Sequence, residues 1–196
     1  KMVSDKDKNY IWDLDIEPKL ELLDEEMKRY IEVCKEKLGM VPNVILANAS
    51  DLDRLKNFVN FYNRLMLKEG YLSKLEREMI AVVVSSSNKC FYCLIAHGAA
   101  VRQLSQNQIL GDELVINYRA AKLTKRHKLM LDFSSKLTET PSKIDNEDRN
   151  VLRKANFSEE EILELVEVVS FFNMSNRIAI GTDMRPNIEY HNLARQ

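Results

Sequence analysis

Residues 73–100, SKLEREMIAVVVSSSNKCFYCLIAHGAA, contain the signals that decide the fold of this chain. Ser73 followed by Glu76 is a capping box, in which each side chain accepts a hydrogen bond from the other residue's backbone N–H at the start of a helix. The helix that begins there is apolar on nearly all sides after Met79, so we expect it to lie at the centre of the domain. A short polar break separates it from a second helix that starts near Cys90.

The rest of the chain carries further helical signals and few signals of strands. Only four prolines and five glycines are present, which is fewer turn residues than a many-stranded sandwich needs. Apolar residues recur with a helical period in several stretches. These stretches are 20–38, 52–68, 123–140, 146–157 and a long one that begins at a second capping box, Ser158 with Glu161, and ends at Gly181. We therefore predict an all-α fold, in which MVPNVILANAS (40–50) turns the chain between helices.

The composition is that of an ordinary soluble domain and excludes several classes of partner. The chain has 29 basic and 30 acidic residues among 196, which leaves a formal charge of −1 and no field that would attract nucleic acid or an anionic membrane. No apolar run approaches the roughly 18 to 20 residues that span a bilayer. The polar start, KMVSDKDKNYIWDL, lacks the apolar core of a signal peptide. We expect a cytoplasmic protein that binds neither nucleic acid nor membrane.

Two of the three cysteines lie close to a histidine in the second helix of the opening stretch. On a helix, Cys90, Cys93 and His97 point within roughly 60° of one another. A thiol near a helix N-terminus with a histidine four residues later has its thiolate favoured by the helix dipole and by proton exchange. Side chains at i and i+3 have Cβ atoms about 5 to 6 Å apart, so a strained, easily reduced disulfide can close between the cysteines.

Two more residues are candidates for the same site. Glu78 is a carboxylate at the edge of an apolar run in the preceding helix. If the two helices pack side by side, Glu78 can face His97 and relay its proton. Tyr92 points away from the cysteine face of a regular helix, but the geometry of a first turn is loose enough for its hydroxyl to border the site.

The residues alone leave three interpretations of the cysteines open. They form a redox site, they are small buried apolar side chains, or they bind zinc together with His97 and Glu78. Three ligands on one helix converge poorly on a tetrahedral ion, which weakens the zinc interpretation. Three cysteines are in any case too few for a disulfide scaffold.

The pattern formed by Glu78, Cys90, Tyr92, Cys93 and His97 resembles the E…CxYCxxxH signature of the alkylhydroperoxidase D-like proteins in the carboxymuconolactone decarboxylase superfamily. The flanking stretches LGMVPNV, NFYNRLML and FNMSNRI are similar to the peroxidase-related branch of that family. The resemblance implies a single-domain helical bundle that is typically a homo-oligomer. We expect an N-terminal arm at 1–19, the helical domain at 20–185 with its redox core at about 73–110, and a C-terminal tail at 186–196.

The resemblance also implies a thiol peroxidase cycle with no cofactor and no metal. In that cycle the Cys93 thiolate attacks hydrogen peroxide or an organic hydroperoxide and Cys90 then condenses with the sulfenic acid. An external dithiol, a lipoyl group in the characterised relatives or a thioredoxin-like protein, reduces the disulfide, while Glu78 and His97 move protons. Helix physics alone favours Cys90 as the attacking thiol, because it is nearer the helix N-terminus; we follow the family pattern.

A second function of the same fold is a non-catalytic redox sensor or protein-disulfide partner. Decarboxylase or lactone chemistry, as in the superfamily's namesake, is weakened because it gives the paired cysteines no role. We also predict a dimer or higher assembly, in which the arm around Tyr10 to Leu14 is exchanged between subunits.

The remaining polar residues have less specific interpretations. Cys34 lies alone on an apolar helical face and is expected in the core, while His127 and His191 are expected in solvated segments. Burying unpaired polar groups costs a few kcal/mol, so the polar residues that interrupt the last long helix need partners. We predict that these residues, Asn173, Asn176 and Arg177, form a structural or subunit-interface hydrogen-bond network rather than a contact with substrate.

Overall fold

A computed structural model describes residues 10–195, and within that range every regular element is a helix. The α-helices are α1 (Glu25–Leu38), α2 (Asn43–Asn48), α3 (Leu52–Tyr62), α4 (Lys74–Ser87), α5 (Phe91–Ser105), α6 (Gln108–Asn117), α7 (Lys125–Glu139), α8 (Asn146–Lys154), α9 (Glu159–Gly181) and α10 (Glu189–Asn192). A π turn (Asn63–Leu67) follows α3. Short 3-10 turns lie at Leu20–Leu22, Tyr118–Ala120 and Pro141–Lys143. The all-α prediction is confirmed.

Helix α4 is the centre of the domain, as its sequence predicts. It packs against α5, α6, α7 and α9, and its residues 79–84 are almost completely excluded from solvent. The capping box fixes where it starts: the Glu76 backbone N–H donates to Ser73 Oγ at 3.1 Å and the Ser73 N–H donates to Glu76 Oε2 at 2.9 Å. The second predicted capping box, at the start of α9, is also present.

Several boundaries differ from the sequence prediction. The stretch 20–38 is a 3-10 turn followed by α1, because Asp24 caps the helix by accepting from the Met27 N–H at 3.0 Å. The segment 40–50, expected to be a turn, contains α2. Helix α6 was not predicted, and the helix expected over 52–68 changes to π geometry after Tyr62.

Both ends of the described chain pack on the helical domain. Asp13 N–H donates to the Thr182 carbonyl at 2.8 Å and Arg185 N–H donates to the Ile11 carbonyl at 2.9 Å, so this part of the arm lies against its own chain. Residues 1–9 of the predicted arm lie outside the described residues. The tail forms α10, and Arg102 holds it in place from α5. A dimer or higher assembly stays a prediction.

No helix within residues 10–195 combines the length and the apolar character that a membrane crossing requires.

Replacing Ser73 with alanine should destabilise the protein, because the Ser73→Ala change removes the side-chain acceptor of the capping box on the central helix. Losing such a cap costs about 1 kcal/mol, which urea denaturation followed by circular dichroism measures. A matched control is Ser87→Ala at the other end of α4, where the hydroxyl donates to the exposed end of Glu139; we expect a change below about 0.5 kcal/mol. Equal midpoints for Ser73→Ala and the wild type would contradict the prediction.

Candidate active site

The turn between α4 and α5 places the first cysteine at the start of a helix. Lys89 adopts a left-handed conformation (φ 57°), and the Cys90 N–H donates to the Ser85 carbonyl at 2.9 Å. Cys90 is therefore the N-cap residue of α5, with extended backbone angles (φ −78°, ψ 101°). Cys93 lies within the first turn of the helix, and both thiols are free and buried. The predicted position of the pair at a helix N-terminus is confirmed.

A hydrogen bond between the two thiols lowers the pKa of Cys90 and raises the pKa of Cys93. The Cys93 thiol donates to Cys90, and this bond, with the Cys93 and Tyr92 backbone N–H groups and the charge of His97, outweighs burial and lowers the pKa of Cys90 to about 7. The same bond, with burial and the charge of the Cys90 thiolate, raises the pKa of Cys93 well above its usual value. The pair therefore loses its first proton with a pKa of about 7, and the resulting negative charge lies mainly on Cys90.

Helices α4 and α5 bring the predicted carboxylate and histidine into direct contact. His97 Nδ1 lies 2.7 Å from Glu78 Oε2, and both side chains are buried. The ring of Phe172 contacts the His97 ring edge to face, with centroids 4.6 Å apart. An ionised Glu78 accepts a hydrogen bond from the Nδ1–H group, which leaves Nε2 as the ring nitrogen outside this contact. The predicted packing of the two helices through this pair is confirmed; its role in proton transfer stays a prediction.

Tyr92 connects the site to the short helix α2. Its hydroxyl accepts a hydrogen bond from the Val44 N–H at 3.1 Å. Burial raises the pKa of Tyr92 well above its usual value, so the phenol stays protonated at neutral pH. Its side chain lines the same cavity as Cys93, which agrees with the expectation that it borders the site.

A cavity of about 550 Å³ extends from the cysteine pair, within the size range of sites for small molecules. Cys93, His97 and Glu78 all line it, whereas Cys90 does not. Most of the remaining wall is aliphatic or aromatic. Of the two cysteines of the pair, Cys93 therefore borders the cavity, and Cys90, which has the lower pKa, does not.

Helix α9 contributes two contacts to Cys93 that the sequence analysis did not assign to the site. The side chains of Asn176 and Ser175 both hydrogen-bond to Cys93, and both contacts act to lower its pKa. Asn176 is completely buried, and its Nδ2 also donates to Ser85 Oγ at 3.0 Å. The signal was present in the sequence, since polar residues interrupt an apolar helix there.

The predicted hydrogen-bond network on α9 is confirmed and is larger than expected. Asn88, at the end of α4, donates from Nδ2 to the side-chain oxygens of Asn173 at 3.1 Å and Asn176 at 3.0 Å. Asn173 in turn accepts from Arg177 Nη1 at 2.8 Å. This network fixes the end of α4 against α9 immediately before the turn that carries Cys90.

The third cysteine and the other two histidines are not part of the group formed by Cys90, Cys93 and His97. Cys34 is buried, as predicted, and also lines the cavity. His127 lies partly exposed, 3.8 Å from Glu76, and His191 is exposed on α10. In the part of the chain that the structure describes, no group of three or more His, Cys, Asp or Glu side chains is arranged to hold a metal ion.

Comparisons with known proteins agree with this architecture. The model of the carboxymuconolactone decarboxylase family matches residues 53–109. An uncharacterised peroxidase-related protein from a Silicibacter species is 51% identical, with all of both chains covered and a TM-score of 0.92. A structure from Ralstonia eutropha, described as an alkylhydroperoxidase AhpD core and an uncharacterised peroxidase-related protein, is 35% identical over 95% of this chain and 98% of its own, with a TM-score of 0.90. A debrominase shares the fold at 16% identity, covering 94% of this chain and 97% of its own, with a TM-score of 0.78.

Titrating the thiols of a Cys34→Ala variant should show one thiolate that forms with a midpoint near pH 7 and is lost as the pH falls through that value, because the pKa of Cys90 is lowered to about 7. The ultraviolet absorbance of the thiolate measures this titration. Adding Cys93→Ala should move the midpoint upward, because it removes the strongest contact that lowers the pKa of Cys90. An unchanged midpoint in that double variant would show that the S–H···S bond is not what acidifies Cys90.

Proposed function

The chain belongs to the alkylhydroperoxidase D-like proteins of the carboxymuconolactone decarboxylase superfamily, and we propose that it is a thiol-dependent peroxidase that uses Cys90 and Cys93. The observation that carries the proposal is the geometry of one cavity. The cavity is lined by the Cys93 thiol, whose partner Cys90 has a pKa of about 7, and by a buried histidine–carboxylate pair. A peroxide needs a thiolate to attack it and a proton donor for the oxygen that leaves.

The proposed cycle consumes one hydroperoxide and one dithiol. The Cys93 thiolate attacks the outer peroxide oxygen, the O–O bond breaks, and Cys93 becomes a sulfenic acid while the alkoxide leaves. The alkoxide takes a proton and departs as an alcohol. The Cys90 thiol then attacks the Cys93 sulfur, which expels water and closes the disulfide. An external dithiol reduces this disulfide by exchange and is itself oxidised to a disulfide.

His97 and Glu78 are proposed to supply and recover the protons. A protonated His97 gives the Nε2 proton to the departing alkoxide, and the Glu78 carboxylate stabilises the charged ring before the transfer. Their 2.7 Å contact supports this role because it fixes the orientation of the imidazole. The low dielectric around the buried pair strengthens their interaction.

Cavity access supports attack by Cys93 although Cys90 has the lower pKa. Attack by Cys93 requires the shared proton to move onto Cys90 or His97. Hydrogen bonds from Ser175 and Asn176 favour the thiolate on Cys93 once that proton has moved. Cys90, which lies outside the cavity lining, is then placed to resolve the sulfenic acid rather than to meet the peroxide.

The burial of the thiols favours a small or slender reaction partner. Cys90 is 1% exposed and Cys93 is 2% exposed. A folded protein cannot bring its own thiol to either sulfur without opening the site, which weighs against the function of a protein-disulfide partner. A peroxide fits the cavity, and so does a thin dithiol arm such as a reduced lipoyl group.

The wild-type protein should consume hydroperoxide in the presence of dihydrolipoamide, and the two cysteine variants should fail in different ways. Cys93→Ser should lose turnover and form no sulfenic acid, whereas Cys90→Ser should form one sulfenic acid per chain and stop there. A sulfenic-acid probe with mass spectrometry locates the oxidised sulfur. Sulfenic acid on Cys90 of the Cys93→Ser variant would reverse the assigned roles. If the wild type consumes no hydroperoxide while its two thiols still cycle, the sensor function holds instead.

Replacing Glu78 with glutamine should slow turnover about 10²-fold, within the range for loss of general acid–base assistance, because the charge that supports a protonated His97 is removed. Steady-state rates measured with hydroperoxide and dihydrolipoamide test this. The matched control is Glu167→Gln, which neutralises a carboxylate paired with Arg64 at 2.9 Å outside the cavity. A folded Glu78→Gln protein with a rate within twofold of the wild type would exclude Glu78 from the proton transfer.

A further inference from the structure

Four tyrosines line the cavity, and they differ in whether their hydroxyls are engaged. Tyr30 donates to Asn63 Oδ1 at 3.1 Å, and Tyr92 accepts from the Val44 N–H at 3.1 Å. The hydroxyls of Tyr62 and Tyr190 take part in none of the hydrogen bonds of residues 10–195. Two hydroxyl groups are therefore free to bind something inside the cavity.

Tyr62 lies where the backbone changes from α-helical to π-helical geometry. It is the last residue of α3, directly before the π turn Asn63–Leu67, and π turns inside helices are frequent at functional sites. Its ring stacks on Phe58 with centroids 6.0 Å apart and contacts Phe171 at the same separation. These contacts fix the ring, so the direction of its hydroxyl is set before any ligand arrives.

Tyr190 reaches the cavity from the opposite end of the chain. Arg102 on α5 fixes its segment by donating to the Tyr190 carbonyl at 3.1 Å and to the Leu193 carbonyl at 3.0 Å. The Tyr190 side chain packs against the small cluster that contains Cys90 and Cys93. The C-terminal segment, expected from its sequence to be a solvated tail, is therefore part of the cavity wall.

The surroundings make both hydroxyls permanent hydrogen-bond donors. Burial, and next the charge of Glu78, raise the pKa of Tyr62 and of Tyr190 well above the usual value for tyrosine. Neither phenol ionises near neutral pH. Because the Glu78 charge reaches both hydroxyls, an anionic ligand group would be repelled there, and the favoured acceptor is a neutral oxygen.

The other residues that line the cavity favour a ligand with an apolar group. Phe58, Phe171, Phe172 and Met66 provide apolar surface in the same cavity that Tyr62 and Tyr190 line. Burying apolar ligand area against such a surface is favourable, and a ligand oxygen that accepts from the tyrosines can replace cavity water without losing hydrogen bonds.

We propose that Tyr62 and Tyr190 bind the carbon-bound oxygen of an organic hydroperoxide whose apolar group fills the cavity. The identity of the ligand as a peroxide rests on the proposed function. The two donors hold this oxygen while it is neutral, in the hydroperoxide and again in the alcohol, and the proton from His97 neutralises the alkoxide between these two states. The same oxygen remains in the alcohol product, which makes the alcohol a stable probe of the contact.

Binding of two ligands of equal shape to a Cys93→Ser protein tests this contact without any turnover. Cumyl alcohol carries the hydroxyl oxygen, and tert-butylbenzene has a methyl group in its place. Tyr62→Phe and Tyr190→Phe should each lower the affinity for cumyl alcohol about 3- to 10-fold, which is the contribution of one neutral hydrogen bond. Each variant should leave the affinity for tert-butylbenzene within about twofold, because the ring that packs on the ligand is retained. Ligand-observed NMR titration measures both affinities.

The matched control is Tyr30→Phe, which deletes a hydroxyl of the same cavity that is already bonded to Asn63. It should leave cumyl alcohol binding within about twofold. The inference is overturned if the Tyr62 and Tyr190 variants lose affinity equally for both ligands, or if Tyr30→Phe weakens the binding of cumyl alcohol as much as they do. It is also overturned if the parent protein does not bind cumyl alcohol.

Turnover separates this inference from the proposed function. If hydroperoxide is not consumed but the binding pattern holds, the proposed peroxidase activity fails and the contact with a neutral oxygen ligand stands. If hydroperoxide is consumed but the Tyr62→Phe, Tyr190→Phe double variant binds cumyl alcohol as tightly as its parent, the inference fails and the peroxidase stands.

Discussion

Helix α4 carries the Glu78 carboxylate into an apolar interior, and the hydrogen bond from His97 is what allows it to stay there. A charge buried without a partner costs several kcal/mol, so the 2.7 Å contact fixes how α5 lies along α4. With that register set, Cys93 lies one turn before His97 and faces the same cavity. The stability of the helix pair and the placement of the reactive groups therefore depend on one interaction.

The cysteine with the lower pKa is not the cysteine that lines the cavity. The N-cap position and the bond from Cys93 give Cys90 the lower pKa, while the cavity reaches only Cys93. A thiol that ionises easily but is shielded from the ligand is suited to hold the charge at rest and to resolve an oxidised partner. Asn176 and Ser175 add hydrogen bonds that lessen the cost of moving the charge to Cys93.

Local signals predicted the parts of the structure that depend on neighbouring residues. The capping boxes at Ser73 and Ser158 involve atoms three residues apart, and both formed as the sequence indicated. The face shared by the cysteines and His97 follows from helix geometry alone. Helix α2 was missed because its six residues are too few to show a period, and the π turn was missed because the apolar period over 52–68 predicts a helix without distinguishing α from π geometry.

The sequence by itself determined the all-helical fold, the central position of α4, and the cysteine pair at the start of α5, since these follow from capping, periodicity and spacing along one stretch of chain. Only the tertiary structure decided which of the two cysteines borders the cavity, because the cavity is closed by elements distant in sequence. Tyr62 comes from α3, Asn176 from α9 and Tyr190 from the C-terminal segment. Their proximity is produced by packing around α4, and no local pattern encodes it.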